Sequence, residues 1–273
     1  TLAALGGRKQ RGVLAVLIAA AGRPVSVDAL LLATYGEDAS PAGKPTLHTY
    51  VSNLRQLVGD VIVRQGDAYY LNCAEVTIDA AVFEAACRRG AAMDDPDRAS
   101  AELRQALSLW RGRAYADIEA NGQLDGEITR LSEMRLAALE SRIDADMRTG
   151  RHREVVGEIN ALAAEYPYRE SLRALHMLAL YRCGRQAEAL RAYARTRELL
   201  VESLGIDPSP ELQDLERRIL AQERDLIVSV GPTVQRRAVL VADLDDAGWR
   251  DPSERDTAYG RREDDIEAVA TTE

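Results

Sequence analysis

Between residues 46 and 72 the chain carries polar groups in an order that suits reading another molecule rather than transforming one. Leu47, Val51, Leu54 and Leu57 or Val58 recur at helical spacing and define an inward face from about Thr46 to Val58. The outward face is then His48, Thr49, Ser52, Asn53, Arg55 and Gln56. Each of these side chains donates or accepts hydrogen bonds, and none is acidic. Groups of this kind hydrogen-bond base edges and phosphates in a major groove. A solvated helix face would look the same, and taken alone the stretch fits both readings equally. The segment that follows favours the first. Val61-Ile62-Val63-Arg64 and Tyr69-Tyr70-Leu71 are β-rich, and Gln65-Gly66-Asp67-Ala68 joins them as a hairpin turn. Arg64, beside that turn, is placed to reach a phosphate or a minor groove.

Other chemistry finds little support. The three cysteines, Cys73, Cys87 and Cys183, form no CxxC pair and are read as isolated buried thiols. The three histidines are scattered, so no metal site is expected. No nucleophile–base constellation and no phosphate loop of the GxxxxGK[ST] kind occurs, and neither an enzyme activity nor a cofactor is predicted. No apolar run reaches the roughly 20 residues that span a bilayer, the longest being Val13 to Ala21. No signal peptide is recognisable. A cytoplasmic protein without membrane contact is the expectation. Residue 1 is Thr rather than Met, as in a fragment or a processed chain.

The elements that must position the polar face precede it. A first helix begins near Arg8 and presents Val13, Leu14, Leu17 and Ile18, with Gly22 and Pro24 ending it. Ser26 caps a second helix carrying Val27, Leu30 and Leu31, which stops at Gly36. Three helices followed by a hairpin is the order of a winged helix. Charge is divided along the chain: residues 1–72 hold seven Lys/Arg against five Asp/Glu, while the net charge of the whole is −9. A mildly cationic head on an acidic body suits nucleic-acid contact by the head alone.

"GGRKQRGVLAVLIAAAGRPVSVDALLLATYGED" and "TLHTYVSNLRQLVG" resemble the DNA-binding domain of the Streptomyces antibiotic regulatory proteins, which share the winged helix of the OmpR and PhoB response regulators. The resemblance covers residues 5–72. It implies that the third helix enters the major groove while the hairpin touches the backbone. Carried over, His48, Thr49, Ser52, Asn53, Gln56 and Arg55 are the DNA-facing candidates, with Arg64 on the wing. Lys9 and Lys44 are secondary phosphate candidates near helix starts. The chain departs from the family pattern at Asn53 and Gln56, where Arg is common, at Ala68, where Gly precedes the Tyr, and at Tyr35, where Trp is usual. Fewer arginines predict weaker phosphate attraction. The sheet that opens this fold is expected to be mostly missing, with only Leu2 to Leu5 left.

From Val76 to about Leu226 the pattern is helical, in segments near 79–92, 97–110, 124–149, 152–165, 168–183, 185–203 and 210–224. Gly150-Arg151 and Gly184-Arg185 lie 34 residues apart, the tetratricopeptide period. Val155, Ile159 and Leu162 recur as Ala189, Tyr193 and Thr196 at matching offsets. "YPYRESLRALHMLALYRCGRQAEALRAYARTRELLVESLGIDPSPELQDLERRIL" resembles the bacterial transcriptional activator domain, which follows this winged helix in that family. The resemblance implies self-association and contact with the transcription machinery. Trp110 and His176 are read as packing residues, and Arg169, Arg173, Arg191, Arg195 and Arg197 as mostly solvated.

Residues 227–273 form an acidic linker, tail or stub of a further domain, with Gly231-Pro232 as the link and Ala238 to Leu244 as one short strand. "VLVADLDDAG" faintly resembles the metal-binding strand of class III nucleotide cyclases, with Asp243 as ligand. "AYGRREDDIEAV" faintly resembles the entry to ATPase domains. The expected architecture is therefore mostly α: a winged helix-turn-helix over 1–72, then tetratricopeptide-like helical repeats over 76–226. The expected function is an activator that binds promoter repeats of double-stranded DNA as a homodimer and contacts RNA polymerase. Two alternatives stand beside it: a helical-repeat adaptor with a vestigial head, and the regulatory half of a larger ATPase- or cyclase-coupled protein.

Overall fold

A computed structural model describes residues 6–227, except 117, 119–121 and 123. The readings made of Leu2 to Leu5 and of the acidic stretch from residue 228 onward, Asp243 included, lie outside the described residues.

Helix α1 (Arg8–Ala19) buries Val13 and Leu17 completely, and Gly22 turns the chain with φ +84°. Strand β1 (Val25–Ser26) leads directly into α2 (Val27–Tyr35), where the Ser26 hydroxyl accepts from the Ala29 amide at 3.1 Å. That bond satisfies one of the free amides of the first turn. Two 3₁₀ turns, Gly36–Asp38 and Pro41–Gly43, carry the chain to α3 (Lys44–Val58). α3 begins two residues before the expected Thr46. Pro45 in its first turn has no amide to leave unsatisfied and a φ already suited to a helix. Strands β2 (Ile62–Gln65) and β3 (Ala68–Leu71) form the hairpin, with Gln65 opposite Ala68 across the Gly66-Asp67 turn. β1 pairs antiparallel with β3, giving a three-stranded sheet in the order β1-β3-β2.

The body is a succession of helices: α4 (Asp79–Ala91), α5 (Pro96–Leu107), α6 (Asp125–Arg148), α7 (His152–Glu165), α8 (Glu170–Arg182), α9 (Gln186–Leu204) and α10 (Pro210–Leu220). Each packs on the next in sequence, and α10 also returns to α8. The 34-residue period is visible in the backbone. The Arg151 amide donates to the Asp146 carbonyl at 2.9 Å, and the Arg185 amide donates to the Leu180 carbonyl at the same distance. Gly150 and Gly184 make these turns possible with φ +82° and +76°. Val155, Ile159, Ala189, Tyr193 and Thr196 are buried at the repeat positions, whereas Leu162 is half-buried.

A polar cluster fastens α5, α6 and α7. Asp146 is fully buried and accepts from Ser100 Oγ at 2.6 Å, Arg104 at 2.5 Å, Arg142 at 3.0 Å and Arg151 at 3.0 Å. Burial pushes the Asp146 carboxyl up. The hydrogen bonds from Ser100 and Arg104, the Arg104 charge and the Arg142 hydrogen bond outweigh it and hold the group below its ordinary value.

Two sequence readings need correction. Cys73 is exposed, and Cys87 and Cys183 are only partly buried, so these are not core thiols. Cys73 follows the last strand and Cys183 caps the end of α8, while Cys87 packs at the edge of the Phe83 cluster without being enclosed by it. Arg169 and Arg173 are not simply solvated: Arg169 pairs with Glu140 at 3.0 Å and Glu133 at 2.7 Å, and Arg173 donates to the Pro167 carbonyl. Both brace the α7–α8 turn. Arg191, Arg195 and Arg197 are exposed as expected. Trp110 packs edge-on to Phe83, with ring centroids 5.4 Å apart.

Candidate nucleic-acid interface

Leu47, Val51 and Leu54 are at most 1% exposed and fix the rotation of α3 about its axis. Their spacing of four and three residues leaves Thr49, Ser52, Asn53 and Gln56 on the opposite side, all exposed. The outward stripe is therefore narrower than the six residues expected from the sequence. His48 and Arg55, seven residues apart, share a flank that packs against the hairpin, and both are half-buried. The Arg55 Nε donates to the Ile62 carbonyl at 2.8 Å, tying α3 to β2. His48 stands edge-on to Tyr69 at 6.2 Å, and its buried Nε2 has no hydrogen-bond partner.

Tyr69 is the residue the sequence reading missed. It is buried on β3, and the guanidinium carbons of Arg55 and Arg64 each lie 5.9 Å from its ring. One ring thus gathers three of the candidate residues, two from α3 or its flank and one from the wing. The signal was the period-2 alternation of β3, which turns Tyr69 and Leu71 inward and leaves Tyr70 half-exposed. Arg64 remains exposed, with its Nε donating to the Gly66 carbonyl at 3.1 Å. Wing and helix therefore present their polar groups from one braced unit.

The remaining candidates are engaged elsewhere. Lys44 sits in the first turn of α3, where the helix dipole disfavours a cation. The carboxylates of Asp28, at 3.1 Å, and Asp67, at 3.9 Å, offset this. The hydrogen bond to Asp28 and the charge of that carboxylate raise the Lys44 ammonium above its ordinary pKa. Lys9 of α1 lies 4.1 Å from the Tyr35 ring centroid, a cation–π contact that ties α1 to the end of α2. On the outward stripe, Thr49 Oγ1 donates to the Pro45 carbonyl at 3.0 Å, which leaves its oxygen as an acceptor and its methyl free. The Asn53 amide nitrogen lies 3.4 Å from Gln10 Oε1 of α1. Among the described residues no group of three His, Cys, Asp or Glu side chains can hold a metal ion. No described helix is long and apolar enough to cross a membrane.

A three-helix winged unit with an acid-free polar stripe, joined to stacked helical pairs, defines a class: transcriptional regulators with a helical effector domain. Comparison with known proteins gives the family. The bacterial transcriptional activator domain matches residues 78–220. The regulatory protein AfsR of Streptomyces griseus is 40% identical over 225 residues, covering 81% of this chain and 23% of AfsR. The regulatory protein DnrI of Streptomyces peucetius is 37% identical over 232 residues, 78% of this chain and 84% of DnrI. The solved structure of Mycobacterium tuberculosis EmbR in complex with a low-affinity phosphopeptide superposes with a TM-score of 0.72 at 34% identity, covering 81% of this chain and 61% of that one. The chain belongs to the Streptomyces antibiotic regulatory protein family, with its bacterial transcriptional activator domain. It spans less than a quarter of the length of AfsR.

Proposed function

We propose that this protein is a sequence-specific, double-stranded-DNA-binding activator whose α3 enters the major groove. The observation that carries the reading is the outward stripe of Thr49, Ser52, Asn53 and Gln56, acid-free and rigidly oriented by a fully buried opposite face. Asn and Gln side chains match the donor–acceptor pair of adenine, and the Thr49 methyl and acceptor oxygen suit thymine and cytosine. Arg64 on the wing supplies a backbone contact, and Arg55 holds α3 against the sheet through Nε, its terminal nitrogens being offered to a neighbouring phosphate. Lys44, compensated by two carboxylates, contributes little. Two protomers on promoter repeats about one helical turn apart occupy one face of the duplex. The helical body supplies the surface for self-association and for RNA polymerase. Residues 1–72 form the DNA-binding part, 76–226 the activator part, and 227–273 an acidic linker, tail or stub of a further domain. The whole is non-enzymatic and cytoplasmic.

A gel-shift against the DNA upstream of the protein's own gene, at rising salt, tests this. The expected result is a retarded complex that competitor DNA of shuffled sequence does not displace, weakening steadily as salt rises. Binding without sequence preference and without a salt slope would overturn it.

A further inference from the structure

A cavity of about 350 Å³ opens at the seam between the winged helix and the helical body. Its floor is apolar, formed by Ile18 from the last turn of α1 together with Phe83, Trp110 and Leu131 of the body. Its rim is not: Asp79, Arg111 and Arg113 stand at the mouth beside the Tyr115 ring. The volume lies in the range of small-ligand sites, and an apolar floor with a few convergent polar groups is their usual composition.

Three observations argue that the space is built rather than left over. Phe83 and Trp110 meet edge-to-face, with interplanar angle 85°, and Arg135 lies 5.0 Å from the Trp110 ring, so the aromatic wall is held in place. Tyr115 adopts φ +53°, a left-handed conformation that a non-glycine residue keeps only where its surroundings impose it, and such residues gather at ligand sites. Among the described residues no carboxylate pairs with Arg113, while Arg111 meets Asp79 only at 3.5 Å with both side chains largely in solvent. The mouth therefore holds cationic groups with donors to spare.

We propose that this cavity is a binding site for a small aromatic acid of one or two fused rings. The rings enter against Phe83, Trp110 and Ile18, and the ligand's carboxylate meets Arg113, with Arg111 able to exchange Asp79 for it. The Tyr115 phenol, which burial and the nearby Glu127 and Asp79 charges push up to about 12, stays protonated and can donate a further hydrogen bond. Because Ile18 belongs to the winged helix and the other walls to the body, an occupant touches both. The site is independent of the DNA-binding reading.

The chain has two tryptophans, so a Trp249→Phe variant leaves Trp110 as the only indole reporter. Titration of that variant with 2-naphthoate, read by Trp110 fluorescence and by thermal melting, is the test. The expected result is a saturable signal with one site per chain and a rise in melting temperature. Arg113→Gln, at an exposed position that the fold does not need, should weaken binding about tenfold. The uncharged analogue 2-naphthalenemethanol should show the same loss. Ala80→Trp, which fills the cavity, should abolish the signal, with circular dichroism checking that it folds. Absence of saturation, or equal binding by Arg113→Gln, would overturn the proposal and leave the DNA-binding reading untouched.

Discussion

Arg55 and Arg64 look interchangeable as basic residues flanking one hairpin, yet they do different work. Arg55 is half-buried and donates to the Ile62 carbonyl, so Arg55→Ala is expected to cost about 0.5–1.5 kcal/mol of stability as well as DNA affinity. Arg64→Ala removes an exposed side chain and should change stability by less than about 0.5 kcal/mol while still weakening DNA binding. Urea denaturation alongside binding assays separates the two, and equal stability losses would contradict the assignment. Asp67 and Asp28 hold Lys44, so Asp67→Asn should strengthen binding to DNA of any sequence and steepen its salt dependence. Fluorescence anisotropy on a non-specific duplex at several salt concentrations measures this. The exposed stripe of α3 was legible because Leu47, Val51 and Leu54 fix its phase at a period of 3.6 residues. The turning of His48 and Arg55 toward Tyr69 was not, since it depends on how the hairpin folds back on the helix.

At the scale of elements, the helical body owes its order to repetition and to one buried carboxylate. The Gly-Arg pairs 34 residues apart announced the repeat, and the paired turns at Gly150 and Gly184 show the physical reason. Nothing in the sequence singled out Asp146, because its partners Ser100, Arg104 and Arg142 come from two helices whose packing sets the geometry. Its folded pKa lies below the unfolded value of 3.8, so its stabilising contribution is complete above that pH and is lost as pH falls through the folded value. The body should therefore lose stability in acid below about pH 4, and Asp146→Asn should flatten that part of the profile. At neutral pH the same substitution leaves Arg142, itself 3% exposed, with Glu158 at 2.5 Å as its remaining carboxylate, and a loss of about 1–3 kcal/mol is expected. Thermal melts across pH 2.5–7 (a range of about 4.5 units bracketing the carboxylate titration) check both; an unchanged acid limb in the variant would refute the role.

At the scale of the molecule, head and body share an apolar cluster. Leu124, preceding α6, is 3% exposed and belongs to the same cluster as Leu17, Leu30, Leu47 and Leu54 of the winged helix. Val76, Ile78, Tyr115 and Ile128 pack against it. The sequence separated residues 1–72 from 76–226 by composition and pattern, and such reading gives no sign that the two would share a core. Leu124→Ala should cost about 2–5 kcal/mol and split a single calorimetric transition into two as the units uncouple. A single unshifted transition would show that the cluster does not join them.

In the proposed function the α3 stripe reads bases. Affinity of the wild type and of a Ser52→Ala, Asn53→Ala, Gln56→Ala triple variant for the promoter repeat and for a shuffled duplex, at one salt concentration, tests it most directly. The triple variant is expected to lose most of the wild type's preference for the repeat, about 1–3 kcal/mol for each base contact removed, while its affinity for the shuffled duplex is retained. A triple variant that keeps the full preference would contradict it.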